Sequence, residues 1–304
     1  METLRMLTNY RLIVVGSLLL LLAGLAFTTH AHAVEVDDNS PREQITLSPV
    51  SKSHAIKSGE SLKDSFKVIN SGDTAFSFSV YARPFSVSGE QYEQDFVSLT
   101  ERSNAYRWVQ FEKTKWDIKP GDTVTVNYTL RVPEGATPGG HYGVMFAETQ
   151  PKDSDDNSSV VRNKRVGSVL KVRVEGDVVE QGKQLSFDVP FLQNRPPLTS
   201  NERIENTGNV DFDVTQVMPV KDIFGRTKYA DKKTQTVYPD TTRALEFNWQ
   251  EVNWFGLYKV EMNSEFLDQS QSSSSYVLIA PVWLLVVAVL AVIGGGYAFF
   301  RHNR

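Results

Sequence analysis

Val68-Ile69-Asn70-Ser71-Gly72-Asp73-Thr74-Ala75-Phe76-Ser77-Phe78 and Ile204-Glu205-Asn206-Thr207-Gly208-Asn209-Val210-Asp211-Phe212-Asp213-Val214 are the same phrase written twice. Each puts Asn-[Ser/Thr]-Gly between two runs that alternate apolar and polar. Glycine tolerates positive φ and asparagine can bond its own backbone, so this tripeptide makes a tight turn between strands. Two further landmarks follow in the same order. Lys119-Pro120-Gly121-Asp122-Thr123 leads into a strand, as does Tyr238-Pro239-Asp240-Thr241-Thr242. Gly140-His141-Tyr142-Gly143-Val144 is then matched by Gly256-Leu257-Tyr258-Lys259-Val260. The order of the matches predicts two copies of one architecture.

Outward from these landmarks, period-two alternation recurs in Ser65–Asn70, Phe76–Tyr81, Thr123–Val132 and Val169–Val174. The runs are rich in β-branched and aromatic residues and are punctuated by Gly, Asn, Asp and Pro. Short alternating strands with such turns predict sheets with one buried face, packed as sandwiches. The boundary between the copies is expected near Glu175-Gly176-Asp177.

The ends read differently. Leu12 to Thr29 is nearly all apolar, follows Arg5 and Arg11, and precedes Ala31-His32-Ala33, a pattern that predicts a signal peptide over residues 1–33. Tyr276 to Phe300 carries no charge and is followed by Arg301-His302-Asn303-Arg304. This predicts a transmembrane helix over residues 276–300 with a cytoplasmic tail at 301–304. Residues 271–275 (QSSSS) read as a flexible tether. The expected domains are therefore residues 34–176 and 177–270, outside the cell membrane, on a single-pass type I protein.

The 304 residues include no cysteine, which removes disulfides, thiolate metal sites and cysteine nucleophiles together. Net charge is −4, and the terminal segments hold Glu2 against Arg5, Arg11, Arg301 and Arg304, so the part between them carries −7. That balance argues against a nucleic-acid partner. Of five histidines only His54 and His141 lie between the terminal segments, and neither accompanies a G-x-S-x-G nucleophile elbow. Acidic residues are plentiful, but nothing marks two as the pair of a glycoside hydrolase. Asp153-Ser154-Asp155-Asp156-Asn157-Ser158 lacks the spacing and distal glutamate of a calcium loop and reads as a solvated hairpin tip. Asn127-Tyr128-Thr129 and Asn157-Ser158-Ser159 match the glycosylation sequon. Trp108, Trp116, Trp249 and Trp254 are either core or sugar-binding platforms, core being the commoner use in a sandwich. Tyr92, Tyr106 and Tyr142 are possible ligand contacts. No cofactor, catalytic or metal residue is assigned, and no partner-binding residue is identified.

Ile45-Thr46-Leu47-Ser48-Pro49, Lys57-Ser58-Gly59-Glu60, Arg107-Trp108-Val109, Trp116-Asp117-Ile118-Lys119-Pro120-Gly121-Asp122, Val132-Pro133-Glu134-Gly135-Ala136 and Gly139-Gly140-His141-Tyr142-Gly143-Val144 together resemble the N-terminal domain of WxL-interacting proteins. The resemblance covers the first half of the expected ectodomain. It implies a chaperone-like Ig fold there, which together with the repeat gives the expected fold, an all-β ectodomain of two tandem Ig-like β-sandwiches. It also implies a membrane-anchored surface protein contacting peptidoglycan, other cell-wall glycan or exported surface proteins. A carboxylate-dependent wall hydrolase and an accessory subunit of a membrane complex are the alternatives. A partner strand added to an open sheet edge is a further binding mode, one that needs no motif.

Overall fold

The computed structural model describes residues 43–150, 163–251 and 255–302. The strands are β1 (Ile45–Ser48), β2 (Ser51–Ile56), β3 (Ser61–Asn70), β4 (Phe76–Pro84), β5 (Ser86–Ser88), β6 (Glu93–Asp95), β7 (Val109–Phe111), β8 (Lys115–Ile118), β9 (Thr123–Arg131), β10 (Gly139–Thr149) and β11 (Arg165–Val174). They continue with β12 (Gly182–Asp188), β13 (Leu192–Gln193), β14 (Leu198–Asn206), β15 (Phe212–Asp222), β16 (Thr227–Val237), β17 (Thr241–Trp249), β18 (Gly256–Phe266) and β19 (Gln269–Ile279), before helix α1 (Val282–His302).

Two sandwiches result, with matching connectivity. The first packs sheet β1-β3-β9-β7 against sheet β2-β11-β10-β4-β8, and the second packs β12-β14-β17 against β13-β19-β18-β15-β16. In both, the chain starts on one sheet and crosses to the other at the same edge. There β2 runs parallel to β11, and β13 runs parallel to β19. The repeated turn is built the same way twice. Asn70 Nδ2 donates to Thr74 O (2.9 Å) while its Oδ1 accepts from Gly72 N (3.0 Å), and Asn206 does the same with Val210 O (2.8 Å) and Gly208 N (2.9 Å).

Alternation sends Phe66 and Val68 from β3, Phe78 and Val80 from β4, and Val126, Tyr128 and Leu130 from β9 into one core. Strand β10 departs from the pattern, being buried along almost its whole length. One face, with Met145 and Ala147, meets this core. The other, with Tyr142, Val144 and Phe146, is covered by Phe85, Val87 and Phe96 from the segment after β4, and by Tyr238 from the second sandwich. A strand sheltered on both sides has no polar face to present, hence its continuous apolar run.

The C-terminal segment requires correction. Tyr276 to Ile279 close β19, where Val277 and Ile279 are fully buried in the second core, and helix α1 starts only after Ala280-Pro281. Those apolar residues serve a sandwich interior and not lipid, and among the described residues no helix is long and apolar enough to cross a membrane. Residues 271–275 are not a tether but the middle of β19, paired with β18. The membrane-anchored, single-pass placement is withdrawn. The signal peptide expected over 1–33 lies outside the described residues.

Candidate functional site

The two sandwiches meet through a short hairpin and two strand ends. Strands β5 and β6 form the hairpin, and its turn holds Gly89 and Tyr92 at positive φ. This geometry throws Tyr92 out of the first sandwich into the second, where it packs with Ile204, Val214 and Leu245. Its hydroxyl meets Thr241 Oγ1 and accepts from Tyr238 N (3.1 Å). Arg243 lies over its ring at 4.4 Å. Beside it Glu90 pairs with Arg203 through Nε (2.7 Å) and Nη2, and Glu90 O accepts from Ala244 N (2.8 Å), so the hairpin bonds to the edge of β17.

On the other flank, Tyr142 Oη donates to Asp211 Oδ1 (2.8 Å) and accepts from Asp211 N (3.0 Å), while Lys171 Nζ reaches Asp211 Oδ2 (2.8 Å). Gly140 N donates to Asn209 O (2.8 Å). Burial, reinforced by the Asp211 carboxylate, pushes the Tyr142 phenol far above its ordinary value, burial first does the same for Tyr238, and burial also raises Tyr92 against the lowering effect of its Thr241 and Tyr238 bonds. These phenols stay protonated and available as donors throughout the physiological range.

Between the two flanks a cavity of about 250 Å³ opens at the junction. Phe85, Tyr142 and Tyr238 form its aromatic wall, with ring centroids of Phe85–Tyr238 at 5.4 Å and Tyr142–Tyr238 at 4.9 Å. Arg102 and Asp240 face each other at its rim, Nε to Oδ2 3.5 Å, with Asp240 72% exposed. An apolar floor with a few convergent polar groups is the usual make-up of a recognition site.

The histidines serve structure. His141 is buried, with Nε2 2.8 Å from Thr137 O, Nδ1 2.8 Å from Asn104 Oδ1 and its ring centroid 4.8 Å from that of Trp108. Burial holds its pKa below the ordinary value. His54 Nε2 lies 3.3 Å from Tyr128 Oη and 3.2 Å from Asp64 Oδ2, and Lys52 Nζ closes on both Asp64 oxygens (2.8 and 2.7 Å). This cluster straps β2 of one sheet to β3 and β9 of the other. Burial lowers the His54 pKa despite the Asp64 charge. Burial works to raise the Asp64 pKa, but the Lys52, Ser65 and Tyr128 bonds outweigh it and hold that carboxyl low.

Trp108 and Trp249 are core residues, and Trp116 packs on that core under the Lys113 ammonium at 4.2 Å. Trp254 and Asp153–Asp156, like the Asn157 sequon, lie outside the described residues. In the other sequon Asn127 Nδ2 bonds to Glu112 Oε2 (3.1 Å). Tyr92 and Tyr142 come together at the junction, whereas Tyr106 lies apart, bonded to Arg107 Nε (3.0 Å). Phe85 and Arg102 were not singled out from the sequence, and Tyr238 and Asp240 were read only as part of a repeated turn. One signal pointed to Asp240: it takes the place of Gly121 in the repeated turn and has φ 59°.

No group of three His, Asp or Glu side chains converges as a metal site among the described residues.

No family model matches the chain, and no curated protein matches it. Among solved structures it is similar to the class 5 fimbriae chaperone CfaA, at 14% identity and a TM-score of 0.39, covering 77% of this chain and 99% of that one. It is similar to the Pseudomonas aeruginosa CupB2 chaperone, at 10% identity and a TM-score of 0.39, covering 77% and 100%. A third is the Salmonella enterica SafA pilin in complex with the SafB chaperone, at 8% identity and a TM-score of 0.41, covering 79% and 98%. The resemblance to WxL-interacting surface proteins is corrected: no family model carries it. With it go the expected cell-wall glycan and surface-display partners, and the membrane-complex alternative that depended on a membrane helix.

Proposed function

We propose that this chain is a protein-binding protein that takes an apolar side chain of a partner polypeptide into the cavity between its sandwiches. Binding another polypeptide is what the name chaperone, borne by the similar structures, denotes, but the reading rests on the geometry of this chain. The observation that carries it is the cavity itself. About 250 Å³ falls below the 300 to 1,000 Å³ of small-molecule sites, and suits one large side chain. Phe85, Tyr142 and Tyr238 supply an apolar wall, and Arg102 and Asp240 offer a donor and an acceptor to the main chain beside the inserted residue. The hairpin and the Tyr142–Asp211–Lys171 bonds hold the site in shape before a partner arrives, which lowers the cost of ordering it.

The test is photo-crosslinking in the producing cells, with a photoreactive amino acid at Asp240 in the full chain. Protein adducts are expected, and their yield should fall severalfold when Thr100→Trp fills the cavity. Absence of protein adducts, or an unchanged yield in the filled variant, would refute the reading.

A further inference from the structure

The second core contains a carboxyl group that the junction does not use. Alternation along β14 turns Ser200, Glu202 and Asn206 inward together with Leu198 and Ile204. Glu202 is 0% exposed and separates two apolar clusters, one around Met218, Phe247 and Met262, the other around Val214, Leu245 and Phe266.

Its neighbours are neutral. Gln184 on β12 donates from Nε2 to Oε1 (2.7 Å), Ser264 on β18 lies 2.7 Å from both oxygens, and Gln216 on β15 approaches Oε2 through Nε2. Ser273 on β19 reaches only the Gln184 side chain (3.2 Å). Register places Phe187 of β12 and Leu245 of β17 directly beside Glu202. From β16 Lys233 lies opposite Gln216 and Asp231 opposite Met218, yet the Lys233 ammonium bonds to Glu246 O (2.7 Å), faces Asp231 at 3.9 Å and sits over the Phe247 ring at 4.4 Å. Among the described residues no cation pairs with Glu202. Gln216 Oε1 is also buried there with no hydrogen-bond donor.

An isolated carboxylate in such a medium is strongly disfavoured, whereas the neutral acid needs only an acceptor. Ser264 Oγ, which can accept as well as donate, is in place for it. We propose that Glu202 is a buried proton-binding site, entering the folded core as the neutral acid, so that folding of the second sandwich takes a proton from solvent. Burial raises its pKa, and the three side-chain donors reduce the rise without cancelling it. Since the folded group holds its proton more tightly than the unfolded one, the stabilisation is complete below the ordinary glutamate pKa of 4.5 and is lost as pH rises through the folded value.

The experiment is urea unfolding of the full chain across this pH range, followed at Trp249 in the second core, for the native protein and Glu202→Gln. Above pH 4.5 the native folding constant should fall against that of the variant by up to tenfold per pH unit, until the folded pKa is passed. A ratio that stays flat or rises with pH would overturn the proposal. Should Glu202→Gln fail to fold, infrared spectroscopy of the folded native protein with ¹³C-labelled glutamate decides. A protonated-carboxyl stretch from a folded glutamate is expected to persist above pH 4.5, where exposed glutamates lose their protons, and its absence at every pH above 4.5 refutes the assignment.

Discussion

Gly140 and Gly256 each stand two residues before a tyrosine on the same strand face, and in each sandwich the tyrosine lies back over the glycine. A Cβ at Gly140 would come within 2.1 Å of Tyr142 Oη, and one at Gly256 within 2.7 Å of the Tyr258 ring. Tyr142 cannot simply swing aside, because its hydroxyl is tied to Asp211 from both directions. Gly140→Ala should therefore cost about 1–3 kcal/mol of overpacking strain, read as a lower urea midpoint with an unchanged slope. The buried His141 and the half-buried His54 give an independent residue-level expectation. Both have folded pKa values depressed by burial, so the stability they contribute is present above the ordinary value of 6.5 and is lost as pH falls below it and through the folded values. The double variant His54→Gln/His141→Gln should lose less stability on acidification from neutral pH than the native chain does. Its unfolding curves on either side of 6.5 check this, and an equal loss in both proteins would remove the histidines from the explanation.

Strand β16 is the edge of its sheet, eleven residues long and bonded to β15 alone. A long open edge invites pairing with a second chain, and lysine is a common guard against it. Lys228 and Lys232 are exposed here, while Lys233 turns inward to cap Glu246 O on the neighbouring sheet. Replacing Lys228 and Lys232 with valine should convert the guarded edge into a self-pairing one, seen as concentration-dependent association in light scattering; a monomer at all concentrations would contradict it. The legibility of elements followed the same local chemistry. The Asn-x-Gly turns and the Gly-x-Tyr pairs were readable because residue type and backbone demand coincide. Strand β19 was not, because the two-residue turn before it, Leu267-Asp268, takes positive φ at both positions without the Asn or Gly that normally announces such a hairpin. With no visible turn, the serines after it read as tether and the apolar end as the start of a membrane span. In the structure β18 supplies the ladder, so serine suffices on the exposed half of β19 and Val277 and Ile279 are needed in the core.

At the scale of the molecule, the repeat was legible because both sandwiches use one connectivity, whereas the cleft was not, because its residues are brought together only when the copies dock. Phe85 and Arg102 belong to no motif and Asp240 only to a repeated turn; they become neighbours because Tyr92 anchors the hairpin in the other sandwich. That anchor decides how the chain unfolds. Tyr92 is counted among the buried residues of the second core although its strand pair belongs to the first, so exposing either core strips contacts from the other. The native chain should therefore unfold in one transition, with coincident curves from variants retaining only Trp108, in the first core, or only Trp249, in the second. Tyr92→Ala removes a buried aromatic ring and the acceptor for Tyr238 N, at a cost of about 3–5 kcal/mol that falls mainly on the coupling between the sandwiches. In that background the Trp108 and Trp249 curves should separate while each sandwich retains its own transition. If the two curves remain superimposed after Tyr92→Ala, the Tyr92 anchor is not what joins the cores, and the remaining contacts, among them the Tyr142–Asp211–Lys171 bonds and the Gly140 N to Asn209 O bond, hold them together.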